Sequence, residues 1–205
     1  MFVTEYQPPE KRRSSAEGGI EKRITEAAVM LAFAFHLLEH ARGKGTVSMH
    51  PDGEHAKTFD IVAFLERRGF TRVEAIGQTA YGGRYVRGEE EIIVNPTSGV
   101  GDVVGVIDGQ RVVAECKGGT INTKHSGQKS KLRKGLCELI GQLMWLPMDG
   151  SRQIAVLPKT EETERLASRL ISRCTHVGIE IALVDSLGGI RYVQLKPEGV
   201  ASVPC

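Results

Sequence analysis

The feature that most constrains the fold of this chain is an Asp-Gly pair between two runs of valine and isoleucine. Asp108-Gly109 is a strong signal for a two-residue hairpin, because both positions of such a tight turn require positive φ, which Asp and Gly tolerate. If these two residues form the whole loop, Ile107 pairs with Gln110. Counting outward from that pair places Asp102 directly opposite Glu115. The near-continuous apolar runs on either side predict strands that are buried on both faces.

The open end of this predicted hairpin carries charged residues. Directly opposed residues of an antiparallel pair point to the same face, with Cβ atoms about 5 Å apart. The carboxylates of Asp102 and Glu115 should therefore meet, and they repel each other unless a cation lies between them. The alternation of side chains along a strand places Lys117 on the same face and turns Cys116 to the other. Two acids and a lysine at one place are typical of a metal site in which the lysine orients an attacking water.

This Asp…Glu-x-Lys pattern resembles the PD-(D/E)XK nuclease superfamily, which has the restriction-endonuclease-like fold. In that superfamily an Asp and a Glu-x-Lys on adjacent strands bind Mg²⁺ and cut phosphodiesters. Gly101 stands where the motif name expects Pro, and many members tolerate this change. The resemblance implies that Asp102, Glu115 and the backbone carbonyl of Cys116 hold Mg²⁺, for which Mn²⁺ can substitute. It implies that Lys117 is catalytic, together with the two acids.

The same resemblance suggests two further site residues. Some resolvase-like members use an acid from the helix before the first strand, and Glu54, at a predicted helix start, is preferred here over Asp60 as a metal ligand. A first-turn acid that complements the helix dipole explains Glu54 equally well. Gln142 is a candidate catalytic residue, because many members carry a glutamine or lysine on a helix near the metal. A single glutamine on a helix is more often a surface residue.

A basic segment without acids follows the motif and leads through several glycines into a helix. Beside a metal site, such a segment suits the backbone of DNA, through charge neutralisation and counterion release. RNA is an open alternative to DNA. For any single lysine, a solvated helix start is the simpler interpretation. The predicted nucleic-acid-binding residues are Lys124, His125, Lys129, Lys131, Arg133 and Lys134.

Periodicity and turn signals predict a helix, an antiparallel meander, and then helix, strand, helix and strand. This order indicates an α/β fold with a mixed β-sheet flanked by helices. It matches the core of the restriction-endonuclease-like fold with an extra N-terminal helical segment. We predict a flexible N-terminal tail over 1–19, an N-terminal helix and loop over 20–53, a nuclease-like core over 54–197, and a C-terminal tail over 198–205.

The run over residues 27–38 is apolar on every side of a helix, so it must be buried on every side. It is shorter than the about 20 residues that a membrane-spanning helix needs. The run therefore predicts a core helix or a dimerisation helix. Dimerisation, or a place in an accessory helical lobe, is favoured. We accordingly expect a homodimer without a membrane segment.

Composition limits the functional classes. With a formal net charge of only +2 over 205 residues, any nucleic-acid footprint must be a local patch. The polar start shows no signal peptide, and the four cysteines include no CxxC pair, so we expect a cytoplasmic, intracellular protein. The sequence predicts a Mg²⁺-dependent endonuclease of restriction, resolvase or repair type that acts on DNA. The alternatives are a catalytically inactive member of the same fold, serving in nucleic-acid binding or assembly, and an unrelated α/β protein whose hairpin acids are structural.

Overall fold

The computed structural model describes residues 1–53 and 58–195 of the chain. Within these residues the strands are β1 (Val3–Tyr6), β2 (Glu21–Ile24), β3 (Gly45–Met49), β4 (Thr71–Ala75), β5 (Gly83–Arg87), β6 (Glu90–Val94), β7 (Val103–Ile107), β8 (Gln110–Cys116), β9 (Gly119–Thr120), β10 (Arg152–Pro158), β11 (Ile179–Val184) and β12 (Ile190–Tyr192). The α-helices of the same part are α1 (Glu10–Arg13), α2 (Glu26–Glu39), α3 (Ile61–Arg67), α4 (Ser126–Met144) and α5 (Glu161–His176). A short 3-10 helix covers Glu17–Gly19.

Two sheets organise the described part of the chain. The larger sheet has nine strands in the order β12-β11-β10-β8-β7-β3-β6-β5-β4. It is mixed, because β8, β10 and β11 run parallel, as do β3 and β6, whereas the other neighbours are antiparallel. The smaller, antiparallel sheet has the order β1-β2-β9. The predicted α/β class with a large mixed sheet flanked by helices is confirmed.

Helices cover both faces of the large sheet. Ile154 and Val156 of β10 pack in one cluster with α2 and α3, whereas Ala155 and Leu157 pack in a second cluster with α4 and α5. Successive residues of a strand point to opposite faces. The two pairs of helices therefore lie on opposite sides of the sheet, and each side has its own apolar core.

The apolar helix α2 is a core helix of the chain itself. Eleven of its residues are buried, and it packs against β3 and β7. Its N-terminus is capped by Thr25, whose Oγ1 accepts a hydrogen bond from the N–H of Ala28 at 3.2 Å. Because other elements of the same chain cover α2, its apolar sequence is explained without a second chain packed against it. Among the residues described, no helix combines the length and apolarity needed to cross a bilayer.

The N-terminal region differs from its prediction as a flexible tail over 1–19 followed by a helix and loop over 20–53. β1 pairs with β2, and Phe2 is buried with its ring centroid 4.9 Å from that of Phe64. The helix begins only at Glu26, because residues 21–24 form β2. The predicted division at residue 53 also fails to separate two units, since β3 lies inside the large sheet between β7 and β6. The predicted C-terminal tail over 198–205 lies outside the described residues.

The central hairpin forms with the predicted two-residue turn. Asp108 has φ 51° and Gly109 has φ 81°, and Ile107 pairs with Gln110. The predicted burial on both faces holds for most of β8 and less well for β7, where Val106 is 56 % exposed. The reason is that α4 packs against β8 and β10 rather than against this part of β7.

Candidate active site

Asp102 and Glu115 lie opposite each other at the open end of the central hairpin. The strand register runs from the turn to the pair of Val103 and Ala114, so the two acids form the next pair outward. The two carboxyl groups lie close enough for Asp102 to raise the pKa of Glu115. Oδ2 of Asp102 also accepts a hydrogen bond from the backbone N–H of Cys116 at 2.7 Å. The predicted register is thus confirmed, and it brings the two acids together on one face.

The surroundings of Glu115 favour the protonated form of its carboxyl group. Burial and the adjacent Asp102 carboxylate raise the pKa of Glu115 to about 7, while Lys117 acts in the opposite direction. Two close carboxylates are stabilised when a cation lies between them. Carboxylate oxygens are the ligands that hard divalent cations prefer. The donor chemistry of the pair therefore fits Mg²⁺.

Lys117, just beyond the end of β8, lies near two further acids. Its Nζ is 3.7 Å from Oε1 of Glu26 and 3.3 Å from Oε1 of Glu138. Burial by itself lowers the pKa of Lys117, but the carboxylates of Glu26 and Glu138 outweigh burial and raise it. The side chain is therefore a protonated ammonium that can donate hydrogen bonds beside the acid pair.

Glu26, like Glu138, is a residue beside Lys117 that was not predicted from the sequence. It is the first residue of α2, where an acid in the first turn is ordinarily explained by the helix dipole. The available signal was an acid at the start of the helix that precedes β3, the same kind of position for which Glu54 was predicted. Glu54 lies outside the described residues. The other candidate, Asp60, caps α3 by accepting a hydrogen bond from the N–H of Ala63 at 3.0 Å.

Gly101 precedes the first acid for a steric reason. A Cβ at this position would lie 2.7 Å from Cγ1 of Val113 and 3.7 Å from Oε1 of Glu115. The first distance is shorter than side-chain carbons tolerate, so β8 already occupies the space that a larger residue would need. Glycine at position 101 thus allows close packing beside the acid pair.

We expect Gly101→Ala to lower the free energy of unfolding by about 1–3 kcal/mol, since overpacking forces Val113 or the backbone to move. Gly141→Ala is the control, because Gly141 lies in α4 and a Cβ there meets no atom within 4 Å. Alanine in a helix interior is expected to stabilise by up to about 1 kcal/mol. Urea unfolding followed by circular dichroism measures both variants. Equal stability of the two would contradict the steric account.

Two of the predicted site residues have other surroundings. The side chain of Cys116 is in the apolar core with α2, and burial raises the pKa of its thiol, so only its backbone is available at the acid pair.

Gln142 is exposed on α4. The position of α4 next to Lys117 is Gly135, where a Cβ would lie 3.6 Å from the Lys117 Cβ. Gln142 is two helical turns farther along, about 10 Å away at 1.5 Å per residue. The structure does not bring Gln142 to the acid pair.

The basic residues of α4 divide between two sides of the helix. Lys131 and Lys134 line a cavity of about 240 Å³ together with Lys117. Lys129 and Arg133 instead lie near Glu162, in the first turn of α5. The pKa of the Glu162 carboxyl is lowered first by its hydrogen bond with Arg165, and Lys129 and Arg133 lower it further. Only the first pair is therefore beside the candidate site.

The two remaining basic residues precede α4. His125 caps the helix, since its Nδ1 accepts a hydrogen bond from the N–H of Gly127 at 3.1 Å. Lys124 is exposed, and its backbone N–H donates to the carbonyl of Ser15 at 2.8 Å. The capping role gives His125 a structural explanation that needs no nucleic acid.

A larger cavity, here named the Glu26 cavity, adjoins the candidate site. Its volume is about 520 Å³, and it is lined by Glu26, residues of β1 and β2, and the start of α4. It shares Gly118, Lys131 and Leu132 with the smaller cavity around Lys117. The two cavities therefore adjoin each other beside Lys117.

In residues 1–53 and 58–195, no three His, Cys, Asp or Glu side chains are grouped closely enough to hold a metal by themselves. A cation at the acid pair would need further oxygens from the backbone, water or substrate. Comparisons with family models, curated proteins and solved structures found no match to this chain. The chemistry of the site is therefore the basis for assigning a function.

Proposed function

We propose that the chain is a Mg²⁺-dependent endonuclease that hydrolyses phosphodiester bonds in DNA. The observation that carries the proposal is the pair of adjacent carboxyls, Asp102 and Glu115, with the Lys117 ammonium two residues beyond the second acid. The order of elements around the site adds support. A helix, three antiparallel strands (β3, β7 and β8), a helix and a parallel strand are the arrangement expected for the restriction-endonuclease-like fold.

The acid pair is suited to Mg²⁺ because this ion is usually bound by one or two carboxylates, with water and substrate phosphate as its other ligands. Asp102 and Glu115 are the two carboxylates, and the backbone carbonyl of Cys116 is the nearest additional oxygen along the chain. Glu26 is a further candidate for the surroundings of the ion. When bound, the ion lowers the pKa of a coordinated water and stabilises negative charge on the phosphate.

Lys117 has two roles in this proposal. As an ammonium beside the acid pair, it orients the attacking water and offsets the charge that develops on the phosphate. The carboxylates of Glu26 and Glu138 hold it in position and keep it protonated. Lys131 and Lys134, which line the same cavity, contact the phosphates that flank the scissile bond.

The test is incubation of supercoiled plasmid, linear duplex, single-stranded, four-way-junction DNA and an RNA oligonucleotide with Mg²⁺ or with EDTA. We expect cleavage in Mg²⁺ only. The cleavage rate of the Asp102→Asn variant should fall by at least about 10²-fold, because the substitution removes one of two anionic ligands. Asp149→Asn is the control, because Asp149 is a surface acid paired with Arg111. The proposal would be overturned if the Asp102→Asn variant cleaved DNA as fast as the wild type.

A catalytically inactive nucleic-acid-binding subunit of the same fold is the second candidate. The observation in its favour is that Lys117 contacts two carboxylates, which compete with substrate for its hydrogen bonds. DNA binding by the wild-type chain, without cleavage in either Mg²⁺ or Mn²⁺, would select this function.

A further inference from the structure

The Glu26 cavity is positioned to hold part of the substrate. Its lining includes Glu26, whose Oε1 is 3.7 Å from Nζ of Lys117, and Gly118, the residue after this lysine. Most of the rest comes from the three-stranded sheet and the first two turns of α4. A volume of about 520 Å³ is within the range of sites that bind small organic molecules. The cavity is therefore large enough for a group that extends from the scissile bond.

The three-stranded sheet provides a flat aromatic surface in this cavity. The guanidinium of Arg23 lies over the ring of Tyr6, 4.2 Å from its centroid, and both residues line the cavity. The buried carboxylate of Glu21 fixes Arg23 through an ion pair of 3.2 Å. Tyr6 is 42 % exposed, so part of it is accessible. Nucleobases stack on aromatic rings and on arginine planes, which makes this pair a suitable platform for a base.

The amide of Gln128 is a hydrogen-bonding group in the wall of the same cavity. Gln128 of α4 is only 6 % exposed and lines the cavity. Within the part of the chain that the structure describes, its side chain forms no hydrogen bond. Its amide nitrogen and oxygen are not fully buried, so a ligand with hydrogen-bonding edges can reach them from the cavity. The amide offers both donor and acceptor groups, as a nucleobase edge does.

The charges in the cavity favour a neutral group inside and a phosphate at its margin. Glu5 and Glu26 line the cavity and disfavour an anion there. Lys131 lies where the cavity adjoins the one that contains Lys117, and these two ammonium groups can contact phosphate. A nucleotide fits this distribution when its base enters the cavity and its phosphate remains beside the lysines.

We infer that the Glu26 cavity binds the base of one unpaired nucleotide next to the scissile phosphate, through the Tyr6–Arg23 stack and the Gln128 amide. This inference rests on the proposed nuclease function. A base that is paired and stacked inside a duplex cannot enter such a cavity without leaving the helix. The substrate is therefore nucleic acid with an unpaired nucleotide at the cleavage point, as in a single strand, a flap or a junction.

The experiment uses oligonucleotides that carry the fluorescent base 2-aminopurine, with Ca²⁺ in place of Mg²⁺ to limit cleavage. We expect the wild-type chain to change 2-aminopurine fluorescence strongly in a single strand and weakly in a duplex. Tyr6→Leu is expected to weaken single-strand binding about tenfold or more, since it removes a stacking surface. Tyr6→Phe is the matched control and should retain both binding and the fluorescence change. Gln128→Leu should reduce discrimination among the four bases at that position.

The outcomes separate this inference from the nuclease proposal. Two results together would overturn the nucleotide cavity: equal affinity for single strand and duplex, and unchanged binding by a Tyr6→Leu variant whose circular dichroism spectrum is native. They would overturn it even if Mg²⁺-dependent cleavage is observed. A Tyr6-dependent fluorescence change without cleavage of any substrate would support the cavity and overturn the nuclease.

Discussion

Lys117→Met is expected to slow Mg²⁺-dependent DNA cleavage by about 10²–10³-fold, the effect of removing one positioned charge from a transition state. Methionine keeps an unbranched side chain and removes the ammonium. The ion pairs of Lys117 with Glu26 and Glu138 are lost as well, but pairs at a partly exposed position contribute little to stability, so the variant should fold. Single-turnover rates at saturating enzyme measure the chemical step apart from binding.

Lys134→Met is the matched control for this experiment. Lys134 lines the same cavity as Lys117 but is exposed. We expect the Lys134→Met substitution to weaken DNA binding. The slope of log affinity against log salt concentration should become shallower by about one unit, because one phosphate contact is lost. Its single-turnover rate should stay within about tenfold of the wild type. An equal loss of rate in both variants would mean that the lysines act only through general positive charge.

Met30→Ala is expected to lower the free energy of unfolding by about 2–5 kcal/mol, as large-to-small substitutions in a core do. Met30 is in α2 and is 1 % exposed. Met148→Ala is the matched control, because Met148 is 87 % exposed and its truncation should change stability by about 0.5 kcal/mol or less. Urea unfolding at several protein concentrations provides the measurement. A core helix makes the midpoint independent of concentration, whereas a helix buried by dimerisation would make it rise with concentration.

The central hairpin could be predicted because its geometry is local. Two adjacent residues that tolerate positive φ define the turn, and the alternation of a strand then determines which side chains meet. This reasoning needs no knowledge of the remaining fold. It placed Asp102 opposite Glu115, as the structure does.

The partners of Lys117 could not be predicted in the same way, because they depend on topology. Glu26 is distant in sequence and reaches the end of β8 only because α2 packs across the sheet with its N-terminus at that end. Its residue type and position are equally typical of an acid that complements a helix dipole. Glu138 likewise resembles an ordinary exposed residue of α4.

The small sheet was missed because its strands carry no clear local signal. β1 and β2 are short and mostly polar, and β2 pairs with Gly119–Thr120, far along the chain. The polar residues of β1 therefore indicated a loose tail, and β2 fell within the predicted N-terminal helix and loop. The division of the basic residues, by contrast, follows from helical periodicity. Lys131 and Lys134, three residues apart, share one side of α4, and Lys129 and Arg133, four apart, share another.

The parallel pairing of β8 with β10 has a consequence for synthesis on the ribosome. Both acids and Lys117 emerge before β10 does, and the N–H of Lys117 bonds to the carbonyl of Val156 at 3.0 Å only after β10 has joined the sheet. Until then β8 is an edge strand whose backbone N–H and C=O groups are unpaired. Such an edge can pair with a strand of another chain. Translation of the C-terminal half therefore governs when the candidate site can form, and a stalled chain carries the residues of the site without the strand that supports them.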